Sequence, residues 1–113
     1  MANTYKILGQ LNPSANTQGN VYVVPAATST IINSIQIANQ SATNASYSLI
    51  VIPAADFANP ASNGKYFIIR GSTLPGSDAA TLTLSLSLPA GTIVAANTNS
   101  ASLSFSAFGV EIT

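Results

Sequence analysis

The eight residues from Thr81 to Leu88 read Thr-Leu-Thr-Leu-Ser-Leu-Ser-Leu, an unbroken alternation of polar and apolar side chains. Successive side chains of a strand point to opposite faces, so this spacing gathers the leucines on one side and the hydroxyls on the other. A helix would scatter the same leucines around its circumference. The segment is therefore a strand with one buried face. Strand signals recur along the rest of the chain, at Tyr5 to Gln10, Asn20 to Val24, Thr30 to Ala38, Ser46 to Ile52, Lys65 to Arg70, Thr92 to Ala95 and Ala101 to Ile112. The last is expected to bend near Gly109. No apolar stripe of helical period occurs.

Two of these segments predict their own faces. In Thr30 to Ala38, strict alternation puts Ile31, Ile35 and Ile37 on one side, interrupted by Asn33, and Ile32, Ser34 and Gln36 on the other. In Ser46 to Ile52, Tyr47, Leu49 and Val51 oppose Ser48, Ile50 and Ile52, so both sides are largely apolar and the strand is central or covered twice. Val24-Pro25-Ala26, Ile52-Pro53-Ala54 and Leu88-Pro89-Ala90 follow apolar runs and read as strand terminators, because proline cannot donate the next ladder hydrogen bond. Asn63-Gly64 is a turn signal.

About eight short strands in 113 residues predict one all-β domain spanning 1–113: a two-sheet antiparallel sandwich, jelly-roll or immunoglobulin-like. Within 1–19, the first ten residues form either a strand of this domain or an N-terminal arm exchanged with a neighbour, and Leu11 to Gly19 is polar. Longer loops span Pro53 to Gly64 and Gly71 to Ala80.

The hydrophobic share, 47%, suffices for one core. Charge is scarce: 5% of residues are charged and the net charge is zero, against about 25% charged in an ordinary soluble domain. Such a surface repels its own copies weakly and offers nothing to phosphates or anionic lipid. Neither a nucleic-acid nor a membrane partner is expected. No apolar run reaches the ~20 residues of a membrane helix, and the N-terminus shows no basic region followed by an apolar one.

The inventory for catalysis is thin. There is no histidine and no cysteine, which removes the imidazole of a serine triad, thiol chemistry and the usual zinc ligands. Lys6 and Lys65 lie in or beside strands and read as solvent-facing edge residues. Asp56 and Asp78 lie in separate loops and read as turn formers, too few for a calcium site or a paired-carboxylate hydrolase. The glycines are scattered turn residues. No enzymatic activity, cofactor or metal is expected. Asn39-Gln40-Ser41 and Asn44-Ala45-Ser46 match the glycosylation pattern, as chance matches in a chain rich in Asn and Ser.

A role through contact remains. Interface cores are depleted in charge, and this chain has almost none to bury. Phe57 is the leading contact candidate, because most other aromatics fall within strands. Asp56 and Asn59 share its loop, Leu74 lies in the second loop, and Tyr5 lies on the N-terminal segment.

Five segments together resemble short virion structural proteins of tailed bacteriophages, of the cyanophage and marine phage type. They are Tyr5 to Gln10, Val21 to Ser29, Ile37 to Ser41, the leucine strand, and Leu103 to Ile112. The likeness covers nearly the whole chain and is specific as a set rather than segment by segment. That family often has a basic residue after the asparagine at position 39, where this chain has Gln40. The resemblance implies a β-sandwich without catalysis that self-associates, as a homo-oligomer with a trimer favoured. It implies partners among the major capsid protein or other virion proteins, and a place in the virion after assembly in the host cytoplasm. The expected role is capsid decoration or cement. Neck, tail or fibre accessory protein is the alternative, and a carbohydrate-binding host-attachment module is a third.

Overall fold

A computed structural model describes residues 3–53 and 67–113. The described residues form eight strands and no helix: β1 (Asn3–Leu11), β2 (Gly19–Val23), β3 (Ser29–Asn39), β4 (Ala45–Ile52), β5 (Phe67–Leu74), β6 (Ala79–Leu88), β7 (Ile93–Thr98) and β8 (Leu103–Ile112). They make two four-stranded antiparallel sheets, sheet A in the order β1-β8-β3-β6 and sheet B in the order β2-β7-β4-β5. Strands β2, β4 and β6 each end at or one residue before an apolar-Pro pair, where the ladder donor is lost.

The pairing has a simple origin. β1 pairs with β8, β2 with β7, β3 with β6 and β4 with β5. The chain is one long antiparallel ribbon with its head at β4–β5, rolled so that β3 also meets β8 and β4 meets β7. That arrangement is the jelly roll. It separates the two architectures left open above, because an immunoglobulin-like sandwich keeps its first two strands in one sheet, whereas β1 and β2 lie in different sheets.

The inner faces meet in one core. Ile32, Ile35, Ile37, Leu103 and Phe105 of sheet A pack with Tyr22, Leu49, Val94 and Ala96 of sheet B. Tyr47 meets Phe105 edge-to-face across the sandwich, ring centroids 6.2 Å apart, the arrangement that ring quadrupoles favour. The leucines of β6 point inward as their alternation requires. Because β6 is an edge strand, only Leu88 is fully buried, and Leu82, Leu84 and Leu86 are half-buried. On the outer side of sheet B, Ile50, Ile52, Ile93 and Ala95 form a second buried cluster with Phe67 against it. This is why β4 is apolar on both faces.

Strict alternation misassigns β3. A bulge between Ile32 and Ser34 shifts the register against both β6 and β8. The extra residue, Asn33, resets the phase. Ile32 joins Ile35 and Ile37 inside, whereas Ile31 turns out with Ser34 and Gln36. Opposite the bulge stands Gly109, where a Cβ would overlap the Ile31 carbonyl oxygen and lie 3.1 Å from the Ile32 Cα. The last strand is expected to bend near Gly109, but β8 runs as one strand through it, and the extra residues at the register shifts beside it lie on β1 and β3. Leu74 also departs from expectation. β5 continues to Leu74, whose side chain is 3% exposed in the core, so it is a packing residue and not a loop contact.

β1 pairs with β8 of its own chain. Polar bonds hold the segment that follows: Asn12 Nδ2 donates to the Ala101 and Leu103 carbonyls, and the Asn16 amide donates to Thr98.

Candidate interaction face

The ionic groups among the described residues are engaged within the chain. Lys6 Nζ lies 3.0 Å from Glu111 Oε1. Tyr22 Oη donates to Glu111 Oε2 at 2.6 Å and lies 2.8 Å from Thr30 Oγ1. The cluster ties β1, β2, β3 and β8 together across both sheets. Arg70 stacks 4.7 Å above the Phe67 ring, and Asp78 Oδ1 accepts its neighbour's amide, Ala79 N, at 2.8 Å, as a turn-forming aspartate does. Among the described residues no three potential metal ligands gather.

The cluster sets the response to pH. The Tyr22 hydrogen bond, then that of Lys6, holds the Glu111 carboxyl below its usual range. Its stabilising contribution is present above the ordinary carboxylate range and fades as pH falls through it. Burial first, then the Glu111 hydrogen bond, pushes Tyr22 up to about 12. A proton held more tightly by the folded state makes stability fall as pH rises from about 10 towards 12, by about 2–3 kcal/mol over that window. Denaturation midpoints measured between pH 9 and 12 should show this loss in the native chain, and Tyr22→Phe should flatten it.

The outer face of sheet A is where the chain leaves apolar groups uncovered. Cross-strand partners share a face, so the registers define its rows. Tyr5, Val110, Ile31 and Ser87 form one row, and Ile7, Phe108, Ser34 and Thr83 the next. Tyr5 is 76% and Ile7 54% exposed. The following row, Gln10, Ser106, Gln36 and Thr81, is polar. It is hydrogen-bonded within itself, Gln10 to Ser106 and Thr81 to Gln36. The face thus grades from apolar to neutral-polar and carries no charge in these rows. Beside the apolar row, an open groove of about 370 Å³ is lined by Ile31, Ser87, Leu88, Pro89, Ile112 and Ser29.

Of the contact candidates, Tyr5 stands on this face and Leu74 is in the core. Asp56, Phe57 and Asn59 lie outside the described residues. Ile7, Ile31, Phe108, Val110 and Ile112 join the face without having been singled out. The alternation of Phe108, Val110 and Ile112 against Phe105 and Ala107 was the available signal. Asn39, of the first glycosylation pattern, is 4% exposed. Its Nδ2 donates to the Thr43, Leu74 and Pro75 carbonyls, so the folded chain closes that position to modification. Compared with protein-family models, curated proteins and solved structures, the chain matches none.

Proposed function

We propose that this chain is a non-enzymatic structural protein of a virus particle, a decoration or cement protein that braces the capsid of a tailed phage by binding major capsid protein and its own copies. The observation that carries the reading is the outer face of sheet A: exposed Tyr5 and Ile7 next to half-buried Ile31 and Phe108, beside neutral amides and hydroxyls, in a chain with six charged residues and zero net charge. A surface of this kind adheres without the desolvation cost of buried ions. The sequence likeness to short phage virion proteins supports the same role, with a trimer as the favoured assembly. Electron cryomicroscopy of intact particles tests it. Cement predicts many copies on the capsid lattice and fragile capsids when the chain is absent. Few copies at one vertex would instead indicate a neck, tail or fibre component, and no copies would overturn the virion reading.

A second reading, a carbohydrate-binding module for host attachment, is favoured by one feature of sheet B. An open cleft of about 210 Å³ is lined by Asn16, Ser46, Ser48, Asn97 and Asn99 among others, all uncharged hydrogen-bonding groups. It predicts sugar-dependent retention on host cells that Asn97→Ala abolishes.

A further inference from the structure

We infer that β1 is an exchangeable strand: the edge of β8 that it covers accepts β1 from a second copy of this chain as well as its own, so that two copies join by trading residues 3–13. The register names the occupant. β8 takes β1 antiparallel, from Asn3 opposite Ile112 to Leu11 opposite Phe105, and the same strand from another copy meets the same partners. Lys6 of one copy reaches Glu111 of the other as it reaches its own, so the ion pair holds direction and register in both forms.

β1 is easily lifted away. It is an edge strand, joined to sheet A through β8 alone. Of its nine residues only Leu8 is buried, whereas five of the ten in β8 are. Asn12 and Pro13 travel with it: Asn12 Nδ2 donates to the Ala101 and Leu103 carbonyls, and Pro13 is buried, so the chain is docked as far as residue 13.

The hinge is residues 14–18, of which the first four are exposed. Two backbone bonds shape it, from Thr17 N to the Ser14 carbonyl at 3.2 Å and from Asn16 N to the Thr98 carbonyl at 2.7 Å. Asn16 holds a φ of 58°, a left-handed conformation that an extended chain gives up. Straightened, five residues reach about 17 Å, beyond the ~10 Å between stacked sheets, and lead β1 out to a neighbour. Closed and exchanged forms contain the same strand pairs and the same ion pair, and differ at the hinge alone. Exchange of an identical element is for this reason a low-cost route to dimers. The tether opposes it, because a short linker holds β1 over its own β8 at an effective concentration on the order of millimolar. Exchange therefore takes place where copies are crowded to that level while they fold, before the edge of β8 is filled.

The chain has no cysteine, so cysteines can be placed singly for the test. Gln10 and Ser106 are cross-strand partners on β1 and β8, at a separation that a disulfide spans. Full-length Gln10→Cys and Ser106→Cys chains are mixed, co-refolded from urea at about millimolar concentration, and oxidised with copper–phenanthroline. Mass spectrometry then counts the disulfide-linked heterodimers. In the control, Thr83→Cys replaces Ser106→Cys; Thr83 is exposed on β6, which pairs with β3 and not with β1. Thermal melts check that each variant folds. The Gln10–Ser106 heterodimer should exceed the control by about tenfold or more, and the excess should vanish when the chains are refolded at micromolar concentration, where the tether wins. A smaller excess at the high concentration overturns the inference, since random collision links the two pairs alike. The exchange stands on the fold alone, and neither result bears on whether particles carry the chain, which imaging decides.

Discussion

Gly109→Ala should lower the melting temperature by more than about 10 °C. The added Cβ would meet backbone, the Ile31 carbonyl oxygen and the Ile32 Cα, and backbone cannot swing aside as a side chain does. β8 is flanked by β1 and β3, so relief requires prising apart the ladder at the β3 bulge. Overpacking costs about 1–3 kcal/mol and occasionally more; a rigid neighbour on a central strand belongs at the upper end. At several degrees per kcal/mol for a domain near this size, about 3 kcal/mol gives the stated shift. Differential scanning calorimetry checks it, and a shift below about 3 °C would show that sheet A yields at this point. Gly9→Ala makes a similar clash, with the Val21 carbonyl oxygen, but β1 is an edge strand and can move away, so its cost should be smaller.

Asn39→Ala should cost about 3–5 kcal/mol, because one side chain holds three loops. Nδ2 serves the carbonyls of Thr43, Leu74 and Pro75 at 2.9 to 3.2 Å, while Oδ1 accepts from the Ser41 amide and the Ser102 hydroxyl at 3.1 Å. An amide has two protons, so three carbonyls share them, and removing it leaves acceptors without a donor where water has little access. Urea denaturation should show a lower midpoint with an unchanged slope, since the same surface is exposed on unfolding. Asn39→Asp keeps the shape but turns the donor into an acceptor facing acceptors, and should cost at least as much at neutral pH. A loss under 1 kcal/mol for either variant would mean the loops hold themselves.

The strands were legible because alternation is a local signal. Each of the eight appears in the sequence within a few residues of its observed limits, and the two-faced character of β4 follows from Ile50 and Ile52. Local periodicity failed where the chain inserts a residue. Nothing before Asn33 announces a bulge, and one extra residue reverses the face of every side chain on one side of it, which is why strict alternation groups Ile31, rather than Ile32, with Ile35 and Ile37. Leu74 was missed for a related reason: Gly71 and Ser72 resemble a turn, yet β5 runs through them with a shifted register against β4. The interaction face was only partly legible. Tyr5 could be named from its place near the terminus. Its neighbours Val110 and Ile31 come from strands more than a hundred and more than twenty residues away, and only long-range register brings them together. The Lys6–Glu111–Tyr22 cluster is hidden for the same reason.

The rolled ribbon also fixes when the molecule can finish folding. Sheet A has β8, the last of the eight described strands in chain order, in its interior, and β1, the first of the eight, attaches to sheet A only through it. A growing chain on the ribosome must therefore keep β1 waiting, with Tyr5 and Ile7 open to strangers, until β8 has emerged. Sheet A closes only when β8 joins it, and the vulnerable species one step short of the fold is the one that lacks β8 alone. Removing that strand should not trim the domain but split β1 from β3 and leave the chain for proteases.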